Sequence, residues 1–128
     1  ATPERGGTLP GHAGFALLES RSALVTGAAR GIGRAIALRF AAAGADLALC
    51  DRDAAGLADT ARGVEAAGRR ALTAVLDVRE ESAVAAFFEQ VAAAFPRLDV
   101  LVNNAGGTFQ APFAELSAKG QDALILGS

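Results

Sequence analysis

A doubly wound α/β fold, built on a parallel sheet of strand order 3-2-1-4, is predicted by three features of the sequence. Short apolar runs alternate with longer segments of helical periodicity, and that alternation requires crossover connections between parallel strands. A glycine-rich turn, Gly27-Ala28-Ala29-Arg30-Gly31-Ile32-Gly33, directly follows the first apolar run and opens the first helical pattern. Polar residues that a core would not hold, Asp51, Asp77 and Asn103, stand where apolar runs end. In such sheets ligands sit outside the carboxyl ends of the strands, at the switch point between the first and fourth.

The elements follow in order. Residues 1–19 carry Gly6, Gly7, Gly11 and Gly14 with Pro3 and Pro10, lack the cationic start and apolar core of a signal peptide, and read as a flexible extension. The single histidine, His12, lies in it with no second ligand nearby and reads as solvated, so no metal site is expected. Ser22 to Thr26 is the first strand. After the turn, Ile32, Ile36 and Phe40 recur at helical spacing, which predicts a helix laying that face on the sheet, with Gly44 at its C-terminal cap. Leu47 to Cys50 is a strand covered on both faces that delivers Asp51 and Arg52 to its end. A second helix begins near Asp53 with Leu57, Ala61 and Val64 on one face, and Ala71 to Leu76 forms the third strand, ending at Asp77-Val78. A third helix runs from about Glu80 to Phe95, burying Val84, Phe87 or Phe88, Val91 and Phe95 before Pro96. Val100 to Val102 is the fourth strand, ending at Asn103-Asn104-Ala105-Gly106, and it is expected to be an apolar edge.

Composition removes several classes of function. The chain has 128 residues, 52% of them apolar, with 12 basic and 14 acidic residues, which fits one globular domain with a substantial core. No basic run marks a nucleic-acid partner, and no apolar stretch approaches membrane-spanning length. Cys50 is the only cysteine and lies in an apolar run, as a small buried hydrophobe does, so a cytoplasmic compartment is expected.

The turn carries the chemistry. Gly27 allows a sharp turn, Gly31 removes a Cβ from the path of a diphosphate, and Gly33 lets helix and strand approach closely. The first N–H groups of the following helix lack intrahelical partners and, with the helix dipole, form an anion site. A bare strand-to-helix corner is the alternative. A Walker loop is excluded, because no Lys-Ser or Lys-Thr follows the glycines. Asp51 can accept both hydroxyl hydrogens of an adenosine ribose and would repel a 2′-phosphate, whereas Arg30 and Arg52 could pair with that phosphate. NAD is therefore expected in preference to NADP. Otherwise, Asp51 is an acid favoured by a helix N-terminus. Asp77 can accept from an exocyclic amine and the Val78 N–H can donate to a ring nitrogen, which together would select adenine. Asn103 and Asn104 can tie adjacent strand ends together, with Ala105 and Gly106 keeping the backbone low beside a ribose; each could also be ordinary turn chemistry.

Taken jointly, Thr26-Gly27-Ala28-Ala29-Arg30-Gly31-Ile32-Gly33, Asp51, Asp77-Val78 and Asn103-Asn104-Ala105-Gly106, in this order and spacing, resemble the short-chain dehydrogenase/reductase family. The resemblance covers about residues 20 to 125. It implies a Rossmann-type dinucleotide-binding portion over 20–128, with the diphosphate at Gly31 to Gly33, beside Arg30 and Ile32. It places the adenosine ribose at Asp51 and the adenine at Asp77-Val78, while Asn103 and Ala105-Gly106 brace the sheet and the nearby ribose. It further implies hydride transfer between a nicotinamide cofactor and a small-molecule alcohol or carbonyl, by a homo-oligomer when complete.

The family also works with a Tyr acid/base, a Lys four residues later, a Ser and an Asn. This sequence has no Tyr, its only lysine, Lys119, precedes the expected place of that Asn, and none of the four is identifiable. The chain is therefore expected to be the cofactor-binding part of a longer enzyme, with no catalytic residue of its own and inactive alone. Two rival readings are a non-catalytic dinucleotide-binding module and an S-adenosylmethionine-dependent methyltransferase. The Thr26 motif and the Asn103 to Gly106 turn weigh against the methyltransferase.

Overall fold

The computed structural model describes residues 16–105 and 124–127. A short 3-10 helix, Ala16–Leu18, leads into β1 (Ser22–Thr26), α1 (Gly31–Ala42), β2 (Asp46–Asp51), α2 (Ala54–Ala66), β3 (Ala71–Val75), α3 (Glu81–Ala94), β4 (Val100–Asn103) and β5 (Leu124–Gly127). The strands are parallel, in the order β3-β2-β1-β4-β5. The 3-2-1-4 core is the one the alternation predicts. The fifth strand corrects the expectation that β4 is an edge, since Val100 to Asn103 pair in register with Leu124 to Gly127. Leu124-Ile125-Leu126 is an apolar run of the same length as Val100 to Val102, and it is the pairing with β4 that makes it a strand. Of the extension expected over 1–19, residues 1–15 lie outside the described part, as do Gly106 and Lys119.

Alternation along each strand divides the core into two layers, because successive side chains point to opposite faces. Ala23, Val25, Leu47, Leu49, Val100 and Val102 face α1 and α2, whereas Leu24, Ala48, Cys50 and Leu101 face the Phe87, Phe88, Val91 and Phe95 cluster of α3 and its end. Small Ala48 and Cys50 thus oppose bulky phenylalanines, which is how a close-packed layer interdigitates. The register sets Thr26 beside Cys50 and Val25 beside Val102, so Asp51, Thr26 and Asn103 emerge at the same end of the sheet. At the opposite end, Ser22 and Asp99 exchange hydrogen bonds: the Ser22 N–H donates to Asp99 Oδ2, and the Asp99 N–H donates to the Ser22 carbonyl, both at 2.9 Å.

The face of α1 differs from the expected one. Gly33, Ala37 and Ala41 are buried against the sheet, while Ile36 and Phe40 pack at the flank and Ile32 is 70% exposed. The small-residue row wins because α1 lies so close to the turn that a Cβ at Gly33 would collide with the Gly27 carbonyl, and Ala37 and Ala41 continue that face along the helix. On α2 the buried row is Leu57, Thr60 and Val64, with Ala61 only partly covered.

Candidate cofactor site

The connection from β1 to α1 depends on glycines for distinct reasons. Gly27 (φ 64°) and Gly31 (φ 60°) both occupy the left-handed region, which side chains adopt at a cost. A Cβ on Gly33 would collide with the Gly27 carbonyl oxygen, so this glycine sets the contact between α1 and the turn. A Cβ on Gly31 would meet nothing within 4 Å. Its requirement in the chain as it stands is conformational, and the space above it is open.

The two residues between those glycines are fixed from every direction. Ala28 and Ala29 are fully buried. The Ala28 N–H donates to the Cys50 carbonyl (3.2 Å), and the Thr60 hydroxyl donates to the Ala28 carbonyl (2.8 Å). The Ala29 N–H donates to Asp51 Oδ2 (2.9 Å), and Arg34 Nη2 donates to the Ala29 carbonyl (2.6 Å). Arg34 Nε in turn donates to the Thr60 hydroxyl (3.1 Å). Every backbone polar group of this segment is therefore satisfied within the protein, as buried groups must be. Sequence reasoning missed Arg34 and Thr60; the one available signal was a hydroxyl residue three positions from Leu57 on a buried helix face.

The N-terminus of α1 is left open by contrast. Its N-cap residue, Arg30, is exposed and extended (φ −163°), makes no side-chain capping bond, and no acid occupies the first turn. The first backbone bond of the helix runs from the Arg34 N–H to the Arg30 carbonyl (3.3 Å). The N–H groups of Gly31, Ile32 and Gly33 precede that ladder and, with the dipole, present partial positive charge to a ligand.

Beside this turn lies a cleft of about 200 Å³ lined by Gly27, Asp51, Arg52, Leu76, Asp77, Val78, Arg79 and Ala105. Asp51 is half-buried, with Oδ1 accepting from the Asp53 N–H (3.0 Å) and Oδ2 from the Ala29 N–H, so its carboxylate is oriented before any ligand arrives. Asp53 itself caps α2 through the Gly56 N–H (3.1 Å). Asp77 accepts from the Arg79 side chain through both oxygens, at 2.8 to 3.2 Å, and from the Arg79 N–H at 2.9 Å. Those bonds hold the Asp77 carboxyl down at about 2, and keep the Arg79 guanidinium protonated above its usual range. Arg52 Nε lies 4.0 Å from the same carboxylate. Arg79, like Leu76, was not singled out from sequence, because nothing in the chain alone tells a pairing arginine from a solvated one.

The asparagines brace the site from behind. Thr26 Oγ1 accepts from the Ala105 N–H (2.9 Å) and donates weakly to Asn103 Oδ1 (3.4 Å), and Asn104 Nδ2 donates to the Gly27 carbonyl (3.2 Å). The ends of β1 and β4 are thereby tied together below the turn. Cys50, at the end of β2, is fully buried; desolvation, helped by the Asp51 charge, pushes its thiol up to about 12, so it is neither a nucleophile nor a ligand. No cluster of His, Cys, Asp and Glu among the described residues could hold a metal ion.

The family profile described as short chain dehydrogenase matches residues 21–126. The chain belongs to the short-chain dehydrogenase family. It is 41% identical over 102 residues to an uncharacterized oxidoreductase of Mycobacterium tuberculosis, a match covering 80% of this chain and 39% of that protein. A short-chain dehydrogenase of Mycobacterium paratuberculosis bound to NAD superposes with a TM-score of 0.68 at 41% identity, over 71% of this chain and 38% of that one. A metagenomic short-chain oxidoreductase in complex with NADP gives 0.66 at 46% identity, over 70% of this chain and 41% of that one. The chain thus spans about two fifths of the length of the relatives it matches. As a short-chain dehydrogenase segment it brings Gly27, Asp51, Arg52, Asp77, Val78 and Ala105 to one cleft, with Arg30, Gly31, Ile32 and Gly33 at the adjoining helix end. Asn103 and Asn104 stand behind them, and Gly106 falls outside the described residues.

Proposed function

We propose that this chain is the nicotinamide-dinucleotide-binding part of an oxidoreductase that moves a hydride between its cofactor and a small-molecule alcohol or carbonyl compound. One observation carries the reading: an uncapped helix N-terminus on a fully clamped glycine turn adjoins a cleft with carboxylates at two successive strand ends. The diphosphate then lies on the N–H groups of Gly31 to Gly33, with exposed Ile32 against the dinucleotide and Arg30 beside it. The adenosine ribose meets Asp51, and the adenine lies against Asp77 and Val78. A volume of about 200 Å³ is below the roughly 300 to 1,000 Å³ of a whole small-molecule site, so the cleft takes the adenosine end alone. The nicotinamide supplies the hydride chemistry when bound; the residues of the turn and cleft hold the adenosine and diphosphate end of the cofactor.

NAD is preferred to NADP. Asp51 is anchored by two N–H donors and cannot turn away from a 2′-phosphate, whereas Arg30 and Arg52 are exposed and offset the like charge only through solvent. Relatives hold either cofactor, so the preference belongs to these residues. The same reading places the protein in the cytoplasm, where its single, buried cysteine stays reduced. A homo-oligomeric assembly rests on family membership alone.

Isothermal titration with NAD⁺ and NADP⁺ tests the function. NAD⁺ binds more tightly, and Asp51→Asn, which keeps an acceptor for Ala29 and removes the charge, moves the ratio toward NADP⁺ by about tenfold. Tighter NADP⁺ binding by the unaltered protein would assign the preference to Arg30 and Arg52. Failure of both to bind at millimolar concentration would overturn the function itself.

A further inference from the structure

We infer that Arg34 is a positioning residue for the diphosphate of the cofactor, because its guanidinium sets the peptide unit through which the glycine turn enters α1. The inference rests on the cofactor reading above and adds a residue to it.

Successive peptide units of the turn are not held alike. The unit that carries the Ala28 carbonyl and the Ala29 N–H is fixed on both sides without Arg34, by the Thr60 hydroxyl (2.8 Å) and by Asp51 Oδ2 (2.9 Å). The next unit carries the Ala29 carbonyl and the Arg30 N–H, and among the described residues it is Arg34 that holds it, through Nη2 donating to the Ala29 carbonyl at 2.6 Å. The same Nη2 donates to the Gly56 carbonyl (3.3 Å), and Nε donates to the Thr60 hydroxyl (3.1 Å), both on α2. The guanidinium is thus anchored to a neighbouring helix while it holds the turn, and its rigid fork keeps those directions together. The Arg34 backbone N–H meanwhile donates to the Arg30 carbonyl (3.3 Å). One residue therefore holds the successive carbonyls of Ala29 and Arg30, directly before the open N–H groups of Gly31, Ile32 and Gly33.

Water does not readily replace this contact. Ala29 and Thr60 are fully buried and Arg34 is half-buried, and Gly56 lies so close to the turn that a Cβ there would come within 2.8 Å of the Ala29 carbonyl oxygen. A peptide unit is planar, so a carbonyl held on one side fixes the N–H on the other. Packing does not do the same for the residues that follow, since a Cβ on Gly31 would meet nothing within 4 Å. Without the fork, the chain entering α1 must be ordered when the diphosphate arrives, and that entropy appears as lost affinity. Asp51 keeps both of its N–H donors, from Ala29 and Asp53, so the adenosine end does not share the loss.

Amide-shift titrations test this by giving dissociation constants for NAD⁺, ADP and adenosine with the unaltered protein, Arg34→Gln and Arg34→Lys. Glutamine removes the fork and the charge together. Lysine keeps the charge, but its ammonium ends one bond short of Nη2 and cannot span the Thr60 hydroxyl and the Ala29 carbonyl together. Both variants should bind NAD⁺ and ADP about tenfold more weakly, the cost of ordering about one residue of the turn on binding, while adenosine affinity changes by less than about twofold. If Arg34→Gln does not fold, Arg34→Lys decides alone. Affinities of Arg34→Lys equal to those of the unaltered protein would show that the charge and not the fork acts, and would overturn the inference. Adenosine affinity that falls in step with that of NAD⁺, or an Arg34→Lys protein that does not fold, assigns Arg34 to general stability and also overturns it. Each of these outcomes leaves the cofactor reading intact. Should the unaltered protein bind neither NAD⁺ nor ADP, the cofactor reading falls and takes the inference with it.

Discussion

Replacing Thr60 by valine should loosen the glycine turn from a distance, because the hydroxyl is the donor that reaches the Ala28 carbonyl (2.8 Å) from the buried face of α2. Thr60 is 1% and Ala28 0% exposed, so water cannot replace the lost bond without opening the core. Leaving a buried carbonyl without this donor costs about 1 to 3 kcal/mol. Arg34 Nε also loses its acceptor, but Arg34 is half-buried and keeps its bond to the Ala29 carbonyl, so that loss adds little. A net destabilisation of about 2 kcal/mol is expected, which lowers Tm by about 8 °C for a domain of this size and lowers the urea midpoint with the slope unchanged. Thr60→Ser keeps the hydroxyl and loses one methyl group, a cost of about 1 kcal/mol. Urea melts of the three proteins, followed by circular dichroism, rank them. If Thr60→Val were as stable as the unaltered protein, or more stable than Thr60→Ser, the methyl group and not the clamp would be what the position contributes.

Further outcomes follow from the same contacts. Gly33→Ala places a Cβ against the Gly27 carbonyl and should destabilise by about 3 kcal/mol, the upper range for overpacking, while weakening NAD⁺ binding; an unchanged denaturation midpoint would show that α1 can back away freely. Cys50 stays protonated in the folded state up to about 12, against an ordinary value of 9.0. Its contribution is thus complete below pH 9 and lost as pH rises from there toward 12, at about 1.4 kcal/mol per pH unit from this one group. Cys50→Ala should flatten that alkaline slope, as read from urea melts between pH 8 and pH 10.5. Native Cys50 should also resist iodoacetamide until the protein is unfolded, and rapid labelling of the native protein would contradict its burial.

The parts of the molecule legible in the sequence are those whose cause is local. Gly27, Gly31 and Gly33 announce a turn because each geometry follows from the absence of a Cβ there, and strand order follows from alternation and handedness. Asp51 and Asp77 reach the cleft because a strand end must put its next residue there. What stayed hidden depends on residues far apart in the chain. Arg34 and Thr60 act on the turn through bonds that exist only once α1 and α2 lie side by side. The buried stripe of α1 shifted from Ile32-Ile36-Phe40 to Gly33-Ala37-Ala41 because closeness to the turn, and not hydrophobicity, chose the face. β5 needed β4 as a template. Asp77 lines the cleft, as its place after a strand implies, but its pairing with Arg79 depends on a side-chain rotamer that sequence does not specify.

Binding of a nicotinamide dinucleotide across the turn and cleft is tested by titrating the ¹⁵N-labelled protein with NAD⁺ and following its amide chemical shifts. The shifts should move saturably at Gly31, Ile32 and Gly33, at Asp51 and Arg52, and at Asp77 and Val78, while those of Ser22, Asp46 and Asp99 at the far end of the sheet stay fixed. Saturable binding that leaves the Gly31 to Gly33 amides unmoved, or no shift anywhere at millimolar NAD⁺, would contradict it.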